Sequence, residues 1–133
     1  MWTLLMAPAL LFGTGLVVDG GRAITTRQEV IGLASEGARA AVDRMDVAGF
    51  RDQGAVRAVA PGAAQAAACT WIAQYRPDAS CSAVAGPDGQ VNVTVTLTYQ
   101  PVLLGAVGVG PQVVSATAGA RPAIGDTQEV SIP

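Results

Sequence analysis

Met1–Val18 (MWTLLMAPALLFGTGLVV) contains no charged residue, and the run stops at Asp19. A segment like this has three destinations: a bilayer, a cleaved secretory signal, or the interior of a core. As a helix it spans about 27 Å at roughly 1.5 Å per residue, close to the ~30 Å hydrocarbon core of a bilayer. Pro8, Gly13 and Gly15 weaken a helix in water but are tolerated in lipid. A signal peptide calls for a basic segment before the apolar run and a small-x-small cleavage site. The first basic residue is Arg22, and Gly13-Thr14-Gly15 is a poor cleavage pattern. The flanks favour a membrane anchor over 1–18, with a signal peptide and a buried core helix as the alternatives.

The pattern changes at once after Asp19. Residues 19–57 carry twelve of the eighteen charges, six of each sign, and the 76 residues of 58–133 carry six. Ile24, Ile31, Ala34, Ala38, Ala41 or Val42, and Met45 recur at steps that fall on one helix face. Glu36 to Arg39 and Arg39 to Asp43 are spaced for pairing on the outer face. This reading predicts a nearly continuous helix from Trp2 to about Val47, loosened near Gly20-Gly21. Its first half lies in the membrane and its second half, over 19–49, forms an amphipathic stalk; an ordinary core helix fits the second half equally well.

Residues 50–123 read as a small α/β head, followed by a flexible tail over 124–133. Gly54–Val59 alternates weakly, as a short strand. Pro61 suits the first turn of a helix, and Gly62–Tyr75 is rich in alanine, the best helix former. Val91, Val93, Val95, Leu97 and Tyr99 alternate with polar residues, the clearest strand in the chain. Pro87-Asp88-Gly89 is a turn, so Ser80–Ala85 is its hairpin partner. Gln112–Arg121 is a further strand, with Val114, Ala116, Ala118 and Ala120 on one side. The fold class is α+β: a long helix, one further helix and an antiparallel sheet of three or four strands.

Composition excludes much chemistry. Histidine is absent and all eight cations are arginine, which removes Ser-His and Cys-His pairs and lysine chemistry. A net charge of −2 lacks the basic footprint of a nucleic-acid binder. Asp78, Asp88, Asp126 and Glu129 are too scattered for an active site, so no enzyme, metal or cofactor is expected. Cys69 and Cys81 are read as a disulfide, which calls for an oxidising compartment; two buried free thiols are the alternative. Pro101–Pro111 (PVLLGAVGVGP) reads as an apolar crossover completing the core, or else as a surface that docks on a partner or touches a membrane. Asp19 is either a charge at the helix–membrane boundary or a partner for a neighbouring subunit's amine or Arg22.

The run PALLFGTGLVVDGGRAITTRQEVIGLASEGARAAVDRMD resembles the N-terminal module of TadE/TadG-like proteins of the tight-adherence (Flp) pilus system. Its carriers are Asp19, Gly20, Gly21, Arg22 and Ala23, followed by an alanine-rich helix with Ala34, Ala38, Ala40 and Ala41. VSATAGARPAIG is similar to the closing strand of actinobacterial members. The resemblance covers about forty residues well and a dozen loosely, and its motifs are low in complexity. It implies a bacterial, membrane-anchored, pilin-like protein at the cell surface, whose partners are other pilin-like subunits and the assembly machinery. The assembly helix is then carried by Trp2, Leu5, Leu10, Phe12, Leu16, Val17, Asp19 and Arg22. Candidate subunit contacts are Ile24, Ile31, Ala34, Ala38, Leu103 and Leu104. Family members often carry a basic leader and a glutamate near the mature N-terminus, whereas here the apolar run follows Met1 directly. Counting Arg22 and Arg27 alone, the positive-inside rule places the body in the cytoplasm; a basic leader would reverse the count. The alternative function is an anchored binding module that does not polymerise, for which six aromatic residues make a poor pocket.

Overall fold

The 41 residues Trp2–Val42 form one helix, α1, about 60 Å long at the usual rise. The computed structural model of the protein describes residues 2–44, 61–86 and 89–122. Contrary to the loosening expected at Gly20-Gly21, α1 runs through both glycines unbroken. The helical ladder uses only backbone groups, and the Thr25 hydroxyl adds a bond to Gly21 O at 3.0 Å. Helix α2 spans Pro61–Tyr75, opening on the proline that needs no donor there. It stops ahead of Pro77, whose ring cannot continue a helix. Strands β1 (Ser80–Ala85), β2 (Val91–Tyr99) and β3 (Gln112–Ala120) form an antiparallel sheet in the order β1-β2-β3. A single turn of helix, α3 (Leu103–Ala106), interrupts the β2–β3 connection. The expected strand Gly54–Val59, Met45, and Pro87-Asp88 lie outside the described residues. At the β1–β2 turn Gly89 takes a φ of +73°, a conformation glycine adopts without steric cost.

One face of the sheet makes the core. Val91, Val93, Val95 and Leu97 of β2 are buried there, beside Ala83 of β1 and half-buried Val114, Ala116, Ala118 and Ala120 of β3. The same period of two sends Asn92, Thr94, Thr96 and Thr98 to the other face, where Thr94 and Thr117 hydroxyls meet at 2.8 Å. Helix α1 lies over β2 and β3, α2 lies over β1, and the helices pack against each other. From α1 the core takes Val30, Leu33, Ala34, Gly37, Ala38, Ala41 and Val42; from α2 it takes Ala64, Ala68 and Ile72.

The expected helix stripe was therefore rotated. Ile24 and Ile31 are 63% and 49% exposed, while Val30 and Leu33, which the stripe omitted, are buried. Ala34 and Ala38 are fully buried against this chain's own sheet and α2, so they cannot meet a neighbouring subunit. Small residues line this face where α2 and the sheet both press against α1. A Cβ on Gly37 would lie 2.8 Å from Ile72 Cδ1 and 3.5 Å from Val93 Cγ1. Gly37→Leu is expected to overpack this contact and cost about 1–3 kcal/mol. Chemical denaturation should show it as a lower midpoint at an unchanged slope.

Among the described residues, two ion-pair systems decorate the exterior. Arg39 Nη1 donates to Glu36 Oε1 at 3.1 Å, whereas Asp43 bonds Arg39 only through its backbone N–H. Arg76, just beyond α2, donates to Glu29 of α1 at 2.7 Å and to Asp78 at 3.1 and 3.2 Å. Its bonds to Asp78 hold that carboxyl below its ordinary value. About a third of both the Arg76 and Glu29 side chains is exposed, so solvent screens the pair, which is worth on the order of 0.5 kcal/mol.

Candidate functional site

The N-terminal half of α1 projects from the core with its apolar side chains uncovered. Trp2, Leu5, Leu10, Phe12, Leu16 and Val17 are all exposed, from 62% to 80%. The only polar hydroxyl in its middle, Thr14, folds back onto Leu10 O at 2.5 Å, the usual way a helix satisfies a hydroxyl that finds no other partner. Among the described residues this is the one helix long and apolar enough to cross a membrane.

One element of the head reaches this half of the helix. The Pro101–Pro111 segment does not complete the core as expected. Only Pro101 is buried, and Val102, Leu103, Val107 and Val109 are exposed. A crossover of alternating valine and glycine cannot fill a core already closed by α1 and α2; it leaves the sheet and lies along α1 instead. Leu103 Cβ stands 3.3 Å from where a Cβ on Gly15 would be, so the missing side chain is what lets α3 approach. Pro8, Leu11, Phe12 and Gly15 of α1 and Leu103, Leu104 and Val107 face one shallow apolar cleft. Gly15→Leu is expected to push α3 off the helix, read as loss of cross-peaks between Leu103 and residues 11–15 by NMR, with the head's melting unchanged.

Asp19 holds the contact in place. Its side chain is 1% exposed. Oδ1 accepts the Val102 N–H at 3.1 Å, and Oδ2 accepts those of Leu103 and Leu104 at 3.0 and 2.6 Å. These are N–H groups at the start of α3, which no residue within the helix can satisfy. A carboxylate from 83 residues away thus replaces a local capping side chain, since Val102 at the N-cap makes none. Asp19 follows the uncharged Met1–Val18 segment, and the Leu104 N–H foremost, with those of Val102 and Leu103 and the charge of Arg22, holds its carboxyl below the ordinary 3.8. Neither role expected for Asp19 describes this intramolecular cap. A lone acid in an apolar boundary carried the signal that it has a partner, but the partner is backbone and leaves no mark in sequence.

Leu103 and Leu104, expected as subunit contacts, are brought onto α1 beside Gly15 and Asp19, while exposed Ile24 and Ile31 stand apart from this cluster. Arg22 is exposed, three residues beyond Asp19. Cys69 of α2 and Cys81 of β1 have their sulfurs 2.03 Å apart, at bonding distance, with Cα atoms 5.5 Å apart. Among the described residues no three acids or cysteines converge into a group that could hold a metal.

The helix that carries this geometry is also the part that a family model matches. Residues 1–44 match the Tad family model, described as Flp pilus-assembly TadE/G-like. The N-terminal helix is similar to that family's module. The match covers the exposed apolar half, Asp19 and the core-forming turns of the helix, a third of the chain in all. No curated protein and no solved structure matches the chain. The matched segment joins two physical regimes in one rod: an apolar half that the head touches only through α3, and a small-residue half packed into the head's core.

Proposed function

We propose that this protein is a pilin-like structural subunit or assembly factor of a tight-adherence-type surface pilus. The observation that carries the reading is the row of bare apolar side chains on α1, from Trp2 to Val17, within the segment matched by a pilus-assembly family. Uncovered surface of this extent is stable in lipid or against other apolar helices, and not in water. Residues 1–18 are the membrane and assembly helix, and the head stands outside the cytoplasm. The sulfur pair at bonding distance supports that side of the membrane, because a structural disulfide persists in oxidising compartments. Contacts with like or unlike pilin subunits fall on the outward faces of α1, through Leu5, Phe12, Leu16 and the exposed Ile24 and Ile31. No catalytic step is assigned to it.

Fractionating the native cells into cytosol, membranes and sheared surface filaments tests this directly. Protein in the filament fraction supports a polymerised subunit. Protein confined to membranes supports an assembly factor, or a non-polymerising anchored module if pili still form without it. A cytosolic protein with two free thiols would overturn the proposal.

A further inference from the structure

We propose that residues 102–109 form a second membrane-embedded element, a loop that enters the outer leaflet beside α1. The inference rests on the reading of residues 1–18 as a membrane helix and adds to it where the head meets the lipid. Three observations carry it. The loop is docked on the apolar helix at Pro8–Gly15. Those positions lie four to eleven residues before Asp19, about 6–16 Å further into the apolar half at 1.5 Å per residue. Whatever surrounds Leu11 and Phe12 also surrounds the loop.

Next, the loop presents apolar side chains outward. Val102 and Val107 are 58% and 57% exposed, and from Val91 to Ala120 the sequence has no charged residue. That face continues the bare surface of α1.

The third observation concerns the backbone. Irregular chain at membrane depth is tolerated only where its polar groups are satisfied within the protein. Asp19 takes the N–H groups of Val102, Leu103 and Leu104. Val107 and Val109 donate to Leu104 O at 3.2 and 3.0 Å, and Gly108 donates to Gly105 O at 3.2 Å. Pro101 and Pro111, at either end, have no N–H to satisfy. The donors of Val102 to Leu104 and of Val107 to Val109 are thus satisfied within the protein, as an apolar medium requires. The occupant of the apolar face is acyl chain.

The test places a small fluorophore on a single added cysteine, with the native pair oxidised. The full chain is reconstituted in vesicles of phosphatidylcholine and phosphatidylglycerol. Val107→Cys is compared with Phe12→Cys on the helix and Val84→Cys on the open face of the sheet. Quenchers are a lipid with a spin label high on its acyl chain, and aqueous iodide. The label at position 107 is expected to follow the one at position 12, strongly quenched by the lipid and weakly by iodide, with position 84 the reverse. Leu103→Cys repeats the measurement one turn away, and unchanged melting of the head shows that each variant is folded. Position 107 behaving like position 84, while position 12 reports lipid, overturns the proposal and leaves the anchor standing. Shielding of position 107 from both quenchers assigns the face to a protein partner and equally overturns it. Failure of lipid to quench position 12 overturns the membrane reading itself.

Discussion

Replacing Asp19 with alanine is expected to release residues 102–109 from α1 while leaving the head folded. The substitution removes both acceptors of three backbone N–H groups at once, and no side chain at the N-cap of α3 can replace them. Hydrogen exchange at Val102, Leu103 and Leu104 should accelerate on the order of ten- to a hundredfold, the scale of losing a charge-assisted bond. Amides of β2 should not change, because the core from Val30 to Leu97 includes neither Asp19 nor α3. Asp19→Asn keeps one acceptor oxygen and should fall between the two. Acid should reproduce the alanine variant. The carboxyl titrates below 3.8 when capped and at about that value when released. Its contribution is therefore complete above that range and is lost as pH falls through the depressed value. Unaltered exchange at the three amides in Asp19→Ala would show that the cap does not hold the loop.

Removing the Cys69–Cys81 bridge is expected to cost the head about 3 kcal/mol, the chain-entropy value for a loop of this length. The residues are separated by 12 positions, and the link pins α2 to the edge strand β1. A small domain has roughly 5–15 kcal/mol in total, so the loss is a large share. Thermal melting with and without reductant should differ by roughly 10–20 °C. The double variant Cys69→Ala, Cys81→Ala should melt like the reduced protein and no longer respond to reductant. A reductant-independent melt of the unaltered protein would show that no bridge constrains it.

Elements with a strong local signal were legible in the sequence. The five alternating pairs of Val91–Gln100 could pack in only one way against an apolar layer, and a polar outer face follows from the pleat. The alanine run after Pro61 had no competing conformation, and it became α2 with the bounds its composition suggested. The turn at Gly89 paired Ser80–Ala85 with Val91–Tyr99 because two strands joined so tightly have nowhere else to go.

The rotation of α1 was not legible. Ile24 and Ile31 are its isoleucines after the apolar run, and a hydrophobicity pattern turns toward them. The sheet and α2 instead accept the face where Ala34, Gly37, Ala38 and Ala41 allow close approach, with Val30, Leu33 and Val42 also buried on it. Packing distance outweighed side-chain size.

What the sequence determined by itself was local: an uncharged helix that water cannot surround, a charged continuation, and a small α+β head poor in chemistry. The tertiary structure decided which face of α1 was buried, that Asp19 answers a backbone far along the chain, and that the apolar 101–111 segment leaves the core for the helix. Each of those depends on the distance between groups remote in sequence. Periodicity and composition report only what neighbours along the chain prefer.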